Sequence, residues 1–266
     1  MDTLHEKYEK LQETLRALGS LAVAFSGGVD SAFLLKAAHD ALGDECIAVT
    51  ARAPAFPERE MQEAVEFCEK ENIRQLFLDL DILSIPGFCN NPPDRCYLCK
   101  KALMQGLLRL CSENGIQYLA EGSNMDDLGD YRPGLKALSE LRIESPLRQA
   151  GLYKADIRAL SKELGLPTWK KPSCACLASR FVYGEKITDE GLRRIDLGEQ
   201  LLWDLGFSQV RIRAHGNLGR IEVPENELEL VIRKRDLIYS RLKELGFSYI
   251  SLDLKGYRTG SMNEIL

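Results

Sequence analysis

The stretch Leu21-Ala22-Val23-Ala24-Phe25-Ser26-Gly27-Gly28-Val29-Asp30-Ser31, followed by AFLLKAAHDAL, decides the fold. A short apolar run ends in two adjacent glycines and passes directly into residues of helical periodicity, which predicts strand, glycine turn and helix. Glycines at that junction let the backbone wrap an anion, with N–H groups at the helix N-terminus directed at phosphate. No Lys-Ser/Thr follows the glycines, so the loop is not the Walker type that grips a transferred γ-phosphoryl group.

Working outward, the same alternation repeats. A β-like run from Cys46 to Ala51 precedes Pro54 and Pro57, the helical pattern EREMQEAVEFCEKENI and the strand QLFLDLD. KKALMQGLLRLCSENGI then reads as helix and QYLAEGS as strand. This succession predicts an α/β fold with a parallel sheet covered on both faces. The pattern changes after Lys171-Pro172. A helix beginning near Thr188 leads to the strands QVRIRAH and GRIEV, a long helix from Pro224 to Leu245 and the strand YISLDL, a small α+β unit. The expected division is residues 1–172 and residues 173–266.

Of the 266 residues 45% are apolar and 28% charged, enough for one substantial core and a smaller second one. A net charge of −5 supplies no overall basic field for gathering nucleic acid. No stretch approaches the ~18 apolar residues of a membrane span, and the charged N-terminus is unlike a signal peptide, so a cytoplasmic location is expected. Eight cysteines in a reducing compartment are core filler, metal ligands or reactive thiols. Cys46, Cys68 and Cys111 sit singly among apolar neighbours and read as core. Cys96/Cys99 and Cys174/Cys176 form two close pairs, suited to zinc, an iron–sulfur cluster or sulfur chemistry.

The motif SGGVDS resembles the PP-loop of ATP pyrophosphatases. That resemblance implies a PP-loop domain of the adenine nucleotide alpha hydrolase type, with ATP cradled by Ala24, Ser26, Gly27, Gly28, Asp30 and Ser31. It also implies adenine near Thr50, Gly122 and Asp127 facing the reacting phosphate, and Mg²⁺ beside Asp30. The whole chain is similar to one PP-loop family, LarE, through RCYLCK (95–100), EGSN (121–124), DYRPG (130–134), ESPL (144–147), KPSCACLASR (171–180) and GYRTGSMN (256–263). The resemblance implies a sulfur transferase. It would adenylate a pyridinium dicarboxylate mononucleotide and convert the carboxylate to a thiocarboxylate for the nickel-pincer cofactor of lactate racemase.

Members differ in sulfur source. Some sacrifice one cysteine, which becomes dehydroalanine, whereas cysteine-richer members hold a [4Fe–4S] cluster with three thiolates. The two pairs here favour the cluster, with Cys96, Cys99, Cys174 and Cys176 as candidate ligands and Cys174 or Cys176 as the sacrificial alternative. Lys100, Ser179, Arg180, Arg211 and Arg213 are implied as substrate-binding. The two strand arginines at alternate positions share a face suited to a phosphate. Glu199, Glu222 and Glu229 fall where the family carries a carboxylate metal site at subunit contacts, and the resemblance implies a homo-oligomer and contact with other cofactor-assembly proteins. A PP-loop tRNA thiolase and a zinc-stabilised nucleotide sensor are the competing readings, the first without an evident basic RNA-binding appendage.

Overall fold

The structure is a computed structural model that describes residues 3–129, 134–172, 175–258 and 261. It divides into two compact units. The first comprises Met1–Ala53, Arg59–Asp81 and Cys96–Cys174, and the second Pro54–Glu58, Ile82–Arg95 and Ala175–Leu266.

In the first unit, four strands run parallel: β1 (Leu21–Ala24), β2 (Cys46–Arg52), β3 (Gln75–Asp79) and β4 (Tyr118–Ala120), in the order β3-β2-β1-β4. Helices α1 (Leu4–Leu18), α2 (Val29–Leu42), α3 (Glu58–Lys70), α4 (Arg95–Glu113), α5 (Gly134–Glu140), α6 (Pro146–Gln149) and α7 (Lys154–Glu163) accompany them. Strand alternation sends side chains to two cores. Leu21, Val23 and Ala48 pack with α1, α2 and α7, while Ala22, Ile47 and Val49 pack with Met104, Leu107 and Cys111 of α4. α1 begins on a capping box, in which Thr3 Oγ1 accepts from Glu6 N–H at 3.3 Å and Glu6 accepts from Thr3 N–H. Because β2 and β4 flank β1 on opposite sides, the loops after β1 and β4 border the crevice where parallel sheets bind ligands.

In the second unit, β5 (Arg211–His215), β6 (Leu218–Glu222) and β7 (Tyr249–Leu252) form a three-stranded sheet, antiparallel between β5 and β6 and parallel between β6 and β7. α8 (Asp189–Asp204) starts on Thr188, whose side chain accepts from Gly191 N–H at 3.1 Å. Gly198 of α8 allows close packing: a Cβ there would lie 2.6 Å from Ile212 Cδ1 and 3.0 Å from Leu242. The helix expected from Pro224 to Leu245 is instead a 3-10 turn at Glu225–Glu227, α9 (Leu228–Arg233) and α10 (Arg235–Glu244), interrupted at Lys234. The side chain of Glu227 bends back to accept from Ser208 N–H at 3.1 Å, which fixes the turn ahead of α9. Two segments join this unit through hydrogen bonds: Leu177 N–H donates to Ala55 O at 2.9 Å, and Ile187 N–H to Cys89 O at 2.8 Å. Among the described residues no helix is long and apolar enough to cross a membrane.

Candidate functional site

The loop after β1 is built to present backbone N–H groups. Gly27 has φ +72°, a conformation L side chains rarely adopt, and Gly28 caps α2 without a side-chain bond. The first-turn N–H groups of α2 have no intrahelical acceptor and point out of the helix start, where an anion is favoured. Ser31 Oγ donates to Gly28 O at 3.2 Å and lies 3.2 Å from Ser26 Oγ, so the two hydroxyls brace the turn. From behind, Lys171 Nζ donates to Gly27 O at 3.0 Å and contacts Glu60 and Glu63 at 2.6 Å each. Burial works against the Lys171 charge, but the bonds to Glu60 and Glu63 outweigh it and raise its pKa. Glu63 is likewise opposed by burial, yet its bonds to Lys171 and Arg59 lower its pKa.

The loop after β4 meets this turn. Gly122 allows the close approach, since a Cβ would stand 3.0 Å from Ser31 N and 3.2 Å from Asp30 Cβ. Asn124 Nδ2 donates to Asp30 Oδ1 at 3.3 Å, and Asp127, buried, accepts from Asn124 N–H at 2.9 Å. The other Asp30 oxygen is taken by Lys154 Nζ at 2.5 Å. Sequence reasoning missed Lys154, because it lies 124 positions from Asp30 and belongs to no motif. Glu121, buried, accepts from Ser123 and Ser145 hydroxyls at 2.8 Å each, with Lys100 Nζ 3.8 Å away. Ala24 ends β1, half-buried, beside the loop, and Thr50 is buried in β2 with its hydroxyl accepting from Gln75 Nε2 at 2.8 Å. The structure thus brings Ser26, Gly27, Gly28, Asp30, Ser31, Gly122 and Asp127 together at one crevice.

Helix α4 starts a turn earlier than its periodicity predicts and takes in both members of the first cysteine pair. Cys96 is exposed and Cys99 half-buried, three apart on one helical face. Burial pushes the Cys46 and Cys68 thiols up to about 12 and Cys111 to about 11, consistent with core roles. Among the described residues no three His, Cys, Asp or Glu side chains gather as a metal site. Ser173 and Cys174, the first four residues of DYRPG, Thr259, Gly260, Met262 and Asn263 lie outside the described residues.

In the second unit, Cys176 is half-buried and precedes the 3-10 turn Leu177–Arg180, in which Ser179 is half-buried. Arg180 is fully buried. Its Nε and Nη2 donate to Glu199 at 2.9 and 2.8 Å, and Nη1 donates to the carbonyls of Ala175 (2.7 Å) and Cys176 (3.1 Å). In this arrangement its fork faces a carboxylate and backbone. Arg213 pairs with Glu222 at 2.9 Å and donates to Ser179 O at 3.3 Å and Ser261 Oγ at 3.1 Å. Arg211, also buried, donates to Val210 O and lies 5.3 Å from the Tyr257 ring centroid. Glu199 and Glu222 are therefore arginine partners, whereas Glu229 is exposed on α9 and pairs with Arg233 at 3.1 Å.

A parallel sheet whose switch point carries a Ser-Gly-Gly-x-Asp-Ser anion loop without a lysine defines a PP-loop protein of the ATP pyrophosphatase superfamily. No family model matches the chain. It is 39% identical over 267 residues to pyridinium-3,5-bisthiocarboxylic acid mononucleotide synthase of Lactiplantibacillus plantarum, covering 100% of this chain and 97% of that protein. It is 38% identical to an uncharacterised protein of Synechocystis, covering 99% of both. A glutamine-hydrolysing GMP synthase chain of Thermoplasma volcanium is 28% identical over 58% of this chain and 54% of its own length. The chain belongs to the LarE family of ATP-dependent sulfur transferases.

Proposed function

We propose that this enzyme adenylates a carboxylate of a pyridinium dicarboxylate mononucleotide and converts it to a thiocarboxylate, serving the nickel-pincer cofactor of lactate racemase. The observation that carries the reading is the end-to-end similarity to the Lactiplantibacillus synthase. The lysine-free anion loop supports attack at the α-phosphorus, with pyrophosphate as leaving group. A substrate carboxylate oxygen attacks that phosphorus, and AMP then leaves the acyl adenylate when sulfur attacks its carbonyl carbon. ATP lies along Ala24, Ser26, Gly27, Gly28, Ser31 and Thr50, with Gly122 and Asp127 opposite. Asp30, only about a quarter exposed and already oriented by Asn124, is a hard oxygen donor suited to Mg²⁺.

The substrate phosphate meets Ser179, Arg180, Arg211 and Arg213, and Lys100 contacts the mononucleotide. Arg180 holds the cysteine segment through the Ala175 and Cys176 carbonyls. Cys96, Cys174 and Cys176 hold three irons of a [4Fe–4S] cluster, with Cys99 as reserve ligand or a thiol outside the cluster. The paired, accessible thiols of Cys96 and Cys99 at the start of α4 support this assignment. Such a cluster supplies an iron open to sulfide. Exposed Ile232, Leu237 and Tyr239 on α9 and α10 support a homo-oligomer, with Glu199, Glu222 and Glu229 near subunit contacts. The enzyme works in the cytoplasm.

Anaerobic reconstitution with iron and sulfide, followed by product counting and intact mass, tests the assignment. Continued turnover at unchanged mass, abolished in Cys174→Ala, is the expected result. One transfer per reactive thiol with loss of the mass of H₂S replaces the cluster by a sacrificial cysteine. Release of ADP and phosphate in place of AMP and pyrophosphate overturns the reading itself.

A further inference from the structure

We propose that Ser261, in the segment GYRTGSMN, is the positioning residue that keeps the Arg213 guanidinium turned toward the phosphate of the mononucleotide. This rests on the assignment of Arg213 to that phosphate above. The hydroxyl stands between an arginine and its carboxylate: Ser261 Oγ accepts from Arg213 Nη2 at 3.1 Å and donates to Glu222 Oε1 at 3.0 Å. Its single hydrogen and an acceptor lone pair are both directed by these contacts. Ser261 is 7% exposed, Arg213 5% and Glu222 0%, so solvent screens none of the three.

What the hydroxyl decides is the rotation of the guanidinium. An arginine facing a carboxylate favours a two-point fork, with each nitrogen on its own oxygen. Here Nε and Nη2 of Arg213 both contact Glu222 Oε2, at 3.0 and 2.9 Å. The other oxygen, Oε1, is taken by Ser261 and by Arg220 Nη2 at 3.1 Å. Arg213 is therefore held to a single oxygen, and the rotation that this imposes brings Nη1 to Ser179 O at 3.3 Å. No described residue takes the second N–H of Nη1, which leaves a charged donor beside Ser179 for a phosphate oxygen.

The chain reaches this point through a turn that glycine permits. Gly256 has φ +66°, and a Cβ there would stand 2.6 Å from Val223 O. Tyr257 N–H then donates to Val223 O at 2.8 Å, directly after β6, and the Tyr257 ring lies 5.3 Å from the Arg211 guanidinium. Residues after β7 thus meet both arginines of β5, one through an aromatic ring and the other through a hydroxyl. The serine, unlike the ring, can fix the plane of a guanidinium, because its donor and acceptor act in set directions. That contact gives GYRTGSMN a part in recognising the substrate.

Calorimetry on the full chain compares three ligands, the pyridinium dicarboxylate mononucleotide, the corresponding nucleoside without its phosphate, and ATP, in wild type and Ser261→Ala. The variant is expected to bind the mononucleotide about tenfold more weakly, and the nucleoside and ATP within about twofold of wild type. A hydroxyl that only stabilised the fold would lower the denaturation midpoint and leave the preference for mononucleotide over nucleoside where it was. Unchanged mononucleotide affinity, or an equal loss for mononucleotide and nucleoside, therefore overturns the proposal. Should the alanine variant fail to fold, Ser261→Cys, which keeps the size but has a weaker donor and acceptor, decides by the same comparison. A wild type that does not distinguish mononucleotide from nucleoside overturns the assignment of Arg213 to the phosphate and the proposal with it, an outcome separate from a serine that proves indifferent.

Discussion

At the mouth of the PP-loop Asp30 and Lys154 pair with side chains 26% and 33% exposed, whereas in the second unit Arg180 and Glu199 pair at 0% and 6%. Both are carboxylate–cation contacts shorter than 3 Å, yet they serve opposite ends. The open pair is screened by solvent and contributes little net stability. The buried pair has given up its hydration and holds its geometry only while every donor stays satisfied. Glu199 also accepts from Ile212 N–H at 2.9 Å, so one carboxylate ties the cysteine segment, α8 and β5 together.

The largest effect is therefore expected from Arg180→Ala. It strands a buried Glu199 and removes the donor shared by the Ala175 and Cys176 carbonyls, a loss of about 3–5 kcal/mol. Chemical denaturation should show the second unit unfolding early. A variant that folds with wild-type stability and loses only mononucleotide affinity would break the comparison and leave Arg180 to the substrate alone.

The contrast also explains what the sequence disclosed. The glycine turn and the parallel alternation were legible because each is local: periodicity switches within Leu21–Leu42, and Thr188 announces α8 as its cap. The core roles of Cys46, Cys68 and Cys111 followed from their neighbours. Lys154 was not legible, since nothing local distinguishes a lysine at the start of α7 from a solvated one. Arg180 was legible as a special residue but not as a buried one, because its partner is 19 positions away on another element. The break at Lys234 was hidden for a different reason: the apolar positions Val231, Ile238 and Leu242 keep a helical spacing across it.

Lys171 offers an intermediate case within the first unit, more buried than Lys154 and shared by two carboxylates. Lys171→Met should cost about 1–3 kcal/mol and loosen the loop through Gly27. Its pH signature has a definite sign. Because the Glu63 pKa is lowered from 4.5, its contribution is full above that value and fades as pH falls through the folded value. Because the Lys171 pKa is raised from 10.5, its contribution is full below 10.5 and fades only as pH rises through the folded value. Melting curves should therefore show wild type and variant converging on acidification below pH 4.5. A constant gap down to about pH 2 would mean that packing, not charge, is what Lys171 supplies.

The smallest effect is expected at Glu229. Its side chain is 85% exposed and pairs along α9 with Arg233, itself 75% exposed, an i,i+4 contact of the kind that contributes little in water. Glu229→Ala should leave the melting temperature of the isolated chain unchanged, while Glu222→Ala, which takes the buried carboxylate partner from Arg213, should not fold normally. The useful measurement adds divalent cations and follows oligomeric state by light scattering. If Glu229 belongs to a metal site between subunits, its variant loses metal-dependent assembly at unchanged chain stability, a separation that Glu222, committed to two arginines, cannot provide. If assembly and stability are both indifferent to Glu229, the residue is a solvated acid.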